Sequence, residues 1–528
     1  MRSSVVYESL EKQERQTDVS NHVYNGASGT KKTCIAGLAF SILVGIGFVV
    51  LGILAQGRSV TFHLNSVTLE LVPLAINVVV LVVTESQGYI HATSLRWALF
   101  YEGKLEFNTN LRLLTFSKHN FANGIIANAI FFISIAVCYG ASAMILVRNT
   151  YEFYLNGGGD WDEISHLVSI SKVTPIALGI AILIQCALSI WCLHASRIPT
   201  WSSDPLTTLQ AASNSRGLIY QKGRCMMSVH DRSLLPTAMR PQARQRSPYA
   251  ASPRIIHVLL VVTIVFFALV IWTGIIIHVG QHNMPDASWN FFPTAAVDTM
   301  TNNVEFQAAT TQTVFLKFFA SFNPGYAPIY VPEINMLAIL IFCVAIQSFL
   351  TIGLHCAELQ VILLRDENVW RTLMGPTGTE APSLYNSVTK PLRTIPSVAL
   401  LVFKPVVHWM FGSALGVDYA KGVLMRVPHV TYLMALWLVF LAFVGVISFT
   451  RPKGPLPATY GHLQTMLDVA DELSDVMYWG DKGEATGLLD QSQEEGGRLG
   501  EGNKQTEVRH SGTSTQPLPA VQMDASYS

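Results

Sequence analysis

The chain has 528 residues, of which half are hydrophobic and only 13% charged, with 35 basic residues balancing 35 acidic ones. Soluble domains carry roughly 25% charged residues, so the composition excludes an ordinary soluble globular protein. The apolar residues gather in runs of about 20, the length that crosses a hydrocarbon core of about 30 Å.

In chain order the predicted spans are 34–55, 67–84, 124–147, 174–194, 255–279, 334–354, 396–416 and 429–449. The fold class is all-α, a polytopic transmembrane helix bundle of about eight spans. Residues 1–33 are polar, carry four acids and lack a cleavage-type pattern, so the first span is expected to stay as a signal anchor. Its Gly37, Gly45, Gly47 and Gly52 permit close helix contact.

Span two holds Glu70, Pro73 and Asn77 and ends at Glu85. Glu70 and Asn77 are seven apart and share a helix face. An intramembrane carboxylate is a functional hypothesis by default. Glu70, Asn77 and Lys404 are therefore the candidate intramembrane polar site, although Glu70 sits near the outer boundary where it is expected to reach water.

Residues 89–114, YIHATSLRWALFYEGKLEFNTNLRLL, mix aromatic and basic side chains. Helical spacing of Leu95, Ala98 and Leu99 predicts a helix lying along the interface. Adjacent spans favour membrane anchoring here over nucleic-acid binding. Loop 148–172 centres on a plain turn at 156–160. Segment 195–254 carries nine basic residues against Asp204 and Asp231. Its stretch 236–253, rich in proline, serine and arginine, reads as disordered, and its charge suits anionic lipid headgroups. Loop 280–333, dense in phenylalanine and tyrosine, is expected to fold over the helix ends.

Residues 355–374 are expected to prolong span six, with Glu367 and Arg371 in the favourable i,i+4 order. Three helix ends share a histidine: His91-Ala92-Thr93, His194-Ala195-Ser196 and His355-Cys356-Ala357. A pH sensor, headgroup contact and an old duplication all produce such a pattern. Lys404-Pro405 lies in the middle of 396–416. A lysine at mid-bilayer is costly, so a re-entrant segment, leaving seven spans, is the alternative there. The tail, 450–528, has six basic against twelve acidic residues. A short helix is predicted over 462–476, and beyond Gly480 the tail reads as mostly disordered. YESL at 7–10 and EATGLL at 484–489 resemble sorting signals.

With the N-terminus placed in the cytosol, the inner segments hold 22 lysines and arginines and the outer ones 6. The positive-inside rule therefore puts the N-terminus in the cytosol, and eight spans return the C-terminus there. Plasma membrane and endomembrane both satisfy these features. The seven cysteines show no zinc spacing and no exoplasmic disulfide framework. Cys192 and Cys356 are read as packing residues before palmitoylation sites. No cofactor is expected.

LVPLAINVVV, GYIHATSLRWAL and LEFNTNLRLL within 71–114, TWSSDPL at 200–206, GRCMMSVH at 223–230, ATYGHLQTMLDVADE at 458–472, YWGDKG at 478–483 and RHSGTS at 509–514 resemble a group of filamentous-fungal integral membrane proteins of unknown function. The resemblance implies topology and no mechanism, and it brings no site residues with it. The function drawn from the sequence is a non-enzymatic membrane organiser or sensor whose cytosolic loops bind protein partners. The alternative is a secondary transporter or channel using polar residues in spans two and seven. An intramembrane enzyme is weakest, with no HExxH, GxSxG or P-loop.

Overall fold

The computed structural model describes residues 26–55, 61–148, 165–215, 217–283, 289, 291, 313–316, 333–380, 394–418, 422–474, 476–484 and 508–528. Its helices are α1 (Ser28–Leu54), α2 (Ser66–Tyr101), α3 (Ile125–Ser142), α4 (Val173–Ala195), α5 (Pro205–Asn214), α6 (Pro253–Asn283), α7 (Glu333–Arg371), α8 (Ile395–Ala414), α9 (Val427–Phe449) and α10 (Leu463–Val469). All but α5 and α10 are long and apolar enough to cross a membrane, eight among the described residues. The chain is a multi-pass membrane protein with an all-α bundle, as its apolar runs predict.

The doubtful seventh segment is a continuous helix, α8, despite Pro405 in its interior. Its Ser413 meets Glu70 near the start of α2, while its Lys404 meets Glu85 further along. It therefore runs antiparallel to α2 from Glu70 to Glu85 as one helix of 20 residues, which a re-entrant segment does not.

The spans form two matching units. In the first, α1 packs on α2 and α4, and α4 also packs on α3 and α2, with α2 on α3. In the second, α6 packs on α7 and α9, and α9 also packs on α8 and α7, with α7 on α8. The five pairings are the same when α6–α9 stand for α1–α4. The seam obeys the same exchange: α3 meets α7, and α8 meets α2. Both units start from the same side, so their pseudo-two-fold axis runs along the bilayer normal. This is a parallel repeat, a known architecture of transport proteins.

Strands β1 (Thr61–Asn65), β2 (Leu146–Arg148), β3 (Ser165–Ile170), β4 (Thr313–Leu316), β5 (Thr379–Glu380), β6 (Leu415–Asp418), β7 (Gly422–Arg426), β8 (Val476–Glu484), β9 (Val508–Ser514) and β10 (Ser526–Tyr527) form two sheets. The first caps one end of the bundle in the order β1-β3-β2-β6-β7-β4. That order is a palindrome under the exchange of units. Its centre is the parallel contact of β2 with β6, at Arg148 and Asp418, as a two-fold axis along the strands requires. From the sequence these segments read as loops; they are strands of three to six residues that continue the helices outward.

The other end, called the tail side, carries a second apolar core. α2 and α7 have 36 and 39 residues, about 54 and 58 Å at about 1.5 Å per residue, so both run well past a hydrocarbon core of about 30 Å. Their ends bring Leu95, Leu99, Trp370 and Leu373 against Leu209 of α5, Met466 of α10, Trp479 of β8 and Tyr527 of β10. The interface helix expected at 89–114 is thereby corrected. Leu95 and Leu99 are buried in this core, so the helix runs straight on and ends near Gly103, whose φ is +65°. Of the segment 355–374, read as an interfacial helix prolonging span six, residues 355–371 continue α7 and Thr372–Met374 form a 3-10 turn. α5 and α10 extend the repeat, since 198–212 reads IPTWSSDPLTTLQAA and 456–470 reads LPATYGHLQTMLDVA. In each, the N-cap side chain, Asp204 or His462, accepts from the backbone N–H of Thr207 or Thr465.

Two segments read as disordered are folded where described. In 236–253, Met239 and Tyr527 exchange backbone hydrogen bonds of 2.9 Å, and Gln245 donates to the Pro452 carbonyl. Arg232 closes the stretch by donating to the carbonyls of Val229 and Ala251. In the tail, β9 pairs antiparallel with β8 and parallel with β10. The tail's acids have partners there: Asp481 accepts from Arg509 and from the Tyr527 hydroxyl, and Asp471 from Lys482. The predicted 462–476 helix is shorter, 463–469. Residues 7–10, 156–160, 485–507 and most of 280–333 lie outside the described residues.

Candidate functional site at the seam between the two units

Along α2, Glu70, Asn77, Thr84 and His91 recur every seven residues, on one face. All four are buried, none more than 5% exposed. This stripe faces the seam, where α3, α8 and β7 supply its partners.

At the sheet end, Glu70 accepts from Arg426 Nη1 at 3.0 Å and from Ser413 Oγ at 2.7 Å, while Trp409 Nε1 donates to its carbonyl. Its expected exposure to water is therefore corrected: the carboxylate is an ion-pair partner inside the protein. Deeper in, Asn77 donates to the Pro73 carbonyl at 2.9 Å and accepts from Ser142 Oγ at 3.0 Å. The Thr84 and Tyr139 hydroxyls are 3.3 Å apart, and the Tyr139 ring stacks on His408 with centroids 3.5 Å apart. Gln347 Nε2 bonds His408 Nδ1.

Towards the tail side the ammonium of Lys404 bonds the carboxylates of Glu85 and Glu358. A helical side chain leans toward its helix N-terminus, which for α8 is the tail-side end, so Lys404 reaches from mid-helix toward those two acids. Its cost in the bilayer is offset by two opposite charges. The Nδ1 atom of His355 lies 2.8 Å from Glu358 Oε1 and 3.2 Å from Arg112 Nη2. Protonated there, the ring donates to Glu358; unprotonated, it accepts from Arg112. Both states have a partner, which suits a group that passes a proton. Arg112 also stands over the Phe131 ring, on which His91 stacks.

Nε2 of His355, Nε2 of His408 and Oε1 of Gln347 are buried with no hydrogen-bond partner among the described residues. A buried polar atom left so costs about 1–3 kcal/mol. Each buried ion costs several kcal/mol before pairing, and apolar residues in place of a buried pair are often neutral or stabilising by about 1–4 kcal/mol. Stability does not explain this cluster. Glu85, His355 and Glu358 also offer ligand atoms within 4.8 Å of one another, a spacing that could hold a metal ion. The Lys404 ammonium already binds two of the three, so an entering cation competes with a tethered one.

The structure thus separates the three sequence candidates. Glu70 belongs to the sheet-end pair, Asn77 to the middle of the track, and Lys404 to the tail-side cluster. Glu85, Glu358, His355, His408, Tyr139, Arg112 and Arg426 are added. Of the three helix-end histidines, His91 and His355 are buried at the seam and His194 is exposed. His91 and His355 occupy equivalent helices of the two units. All seven cysteines are free and buried. No family model, no curated protein and no solved structure matches this chain.

Proposed function

We propose that this protein is a non-enzymatic secondary transporter that moves protons or a small cation along the seam. The observation that carries this reading is the placement of Glu85, Lys404, Glu358 and His355 where two parallel repeats meet, the usual place for coupling sites in such folds. The side chains of Lys404 and His355 are 3% and 1% exposed. Alternating movement of one unit against the other would open the cluster to either side, with His355 changing its partner between Glu358 and Arg112. The start of α1 and the 508–528 segment lie on the tail side, which the lysine and arginine asymmetry assigns to the cytosol.

Proteoliposomes loaded with a pH-sensitive dye test the proposal. Under imposed proton, sodium and potassium gradients the wild-type chain should dissipate at least one gradient, and Glu358→Gln should abolish that flux. Flux no faster than in protein-free vesicles under all three gradients would sink the proposal.

The organiser reading retains support of its own in the folded tail-side body, which displays Ile219 and Leu235 at 77% and 81% exposure. If that body recruits protein partners, Leu235→Asp removes a cross-linked neighbour in cells and leaves flux untouched.

A further inference from the structure

A cavity of about 280 Å³ opens between the tail-side ends of α2 and α4 and the 117–122 segment. Its rim carries Trp191 and Phe121, which are 46% and 82% exposed. Just below, Ile125 and Ile126 begin α3 with 61% and 73% exposure. In a bilayer those isoleucines face acyl chains. Trp191 and Phe121 then mark the headgroup level, where aromatic residues concentrate. The cavity is smaller than the roughly 300–1,000 Å³ of sites for drug-sized ligands, and it suits a phosphate-sized group with its glycerol.

Among the described residues around the mouth, Arg197, Lys104 and Lys118 stand against one acid, Glu102. Glu102 is the sole acid of the lining among the described residues, and its carboxylate is already engaged. It accepts from the backbone N–H of Lys118 and His119 at 2.8 Å each, from Ser117 Oγ and from Lys104. Burial alone would raise its pKa, yet those bonds hold the carboxylate below the ordinary acid range. Arg197 and His119 also line the cavity and are exposed, with Lys118 and His194 exposed alongside. The polar back wall is fixed by Asn120, whose amide donates to the Ala195 carbonyl and to Ser196 Oγ.

We propose that this cavity binds the headgroup of an anionic phospholipid, with its phosphate at Arg197 and His119 and its glycerol against Trp191 and Phe121. The inference rests on the eight helices as membrane spans and is independent of the seam's role, so an absence of flux leaves it standing. A basic residue near anionic lipid contributes on the order of 1 kcal/mol, so reversing one charge should weaken binding roughly tenfold or more.

The test uses the full chain in neutral detergent, titrated with phosphatidylserine, phosphatidylcholine or inorganic phosphate, with bound lipid counted by native mass spectrometry. Wild type should keep one phosphatidylserine more firmly than phosphatidylcholine, and inorganic phosphate should not displace it at millimolar concentration. Arg197→Glu and Phe121→Ala should each lose that lipid while keeping the wild-type circular dichroism. Equal lipid retention by Arg197→Glu and wild type would overturn the proposal. So would displacement by inorganic phosphate, which would mark a plain anion site.

Discussion

The two units share a helix-packing pattern and differ in what fills it. In the first, α1 and α4 meet through glycine: a Cβ on Gly179 would lie 2.5 Å from the Gly45 carbonyl oxygen, and one on Gly52 2.6 Å from Ile176 Cγ1. In the second, the matching α6–α9 contact carries Trp437, whose Nε1 donates to the Val262 carbonyl, and α8 meets α9 through Phe403 on Phe440 and Phe443. Their charges are complementary across the seam. The first unit contributes the carboxylates Glu70 and Glu85, and the second the cations Arg426 and Lys404. Two copies of one packing scheme are thereby held together by opposite charges, with the parts of each copy no longer interchangeable.

The largest test breaks that complementarity. Lys404→Met leaves the partly exposed carboxylates Glu85 and Glu358, 33% and 18% exposed, without their buried cation. It should cost about 2–3 kcal/mol, below the roughly 3–5 kcal/mol of a fully buried pair because solvent screens both acids, read as thermal unfolding in detergent. Adding Glu85→Gln and Glu358→Gln to Lys404→Met should recover most of the loss. A triple variant as unstable as Lys404→Met would show that the lysine acts by packing instead of charge.

The glycine contrast predicts a smaller, two-sided effect. Gly179→Ala forces α1 away from α4 and should cost about 1–3 kcal/mol, as overpacking does. At the α6 and α9 glycines, Gly274 and Gly445, a Cβ would meet no atom within 4 Å, so alanine there should be neutral or gain up to about 1 kcal/mol in helix propensity. Equal unfolding midpoints for Gly179→Ala and Gly274→Ala would remove the distinction between the units.

Much of this was legible in the chain. Eight apolar runs gave eight spans, because hydrophobic length is a local property. The Glu70–Asn77 spacing exposed one face of α2, and the same seven-residue step continues to Thr84 and His91, a signal the sequence carries in plain view. What was hidden is long-range. Glu85 lies at a span end and keeps 33% of its side chain exposed, and nothing local shows that it pairs with Lys404 from 319 positions away. The strands were hidden by their brevity, since three to six residues between spans carry too little periodicity to separate strand from loop. The tail misled by its charge: Asp471 and Asp481 look solvated in sequence and are paired in space. The duplication was faint because its residue matches are short, in 198–212 against 456–470 and at His91 and His355, while the rest of the likeness is packing.

A third prediction asks whether the units remain equivalent where they meet the tail-side body. Trp97 at the end of α2 donates to the Thr200 carbonyl at 3.1 Å, and Trp370 at the end of α7 donates to the Pro457 carbonyl at 3.0 Å. Thr200 and Pro457 follow α4 and α9 in matching segments. Replacing either tryptophan with phenylalanine leaves a buried carbonyl short of a donor, at about 1–3 kcal/mol. Similar losses of unfolding midpoint are expected for Trp97→Phe and Trp370→Phe; a loss at one site alone would show that the tail-side body leans on a single unit.

The smallest effect lies where the symmetry ends, in the β8–β9 sheet that the second unit's tail adds. The Asp471 carboxylate beside His510, with help from the Cys225 thiol and the Ser528 carbonyl, raises the imidazole from its ordinary 6.5 to about 10 against the cost of burial. Burial opposes ionisation of Asp471, yet His510, Lys482 and the Thr513 N–H lower it to about 2. A raised histidine contributes its stability fully below its unfolded value of 6.5 and loses it as pH climbs through about 10. The lowered aspartate contributes above 3.8 and loses its share as pH falls through about 2. The sheet should therefore hold best between about pH 4 and 6.5 and loosen on the alkaline side. Both groups are partly exposed, so solvent screening limits the effect to about 1 kcal/mol or less. Cleavage within 508–528 by a broad-specificity protease, normalised to an unstructured peptide at each pH, should accelerate between pH 6.5 and 10 in wild type. His510→Gln should be cleaved faster at pH 6 and show no further acceleration; a wild-type rate that stays flat across that range would separate the sheet's stability from this ion pair.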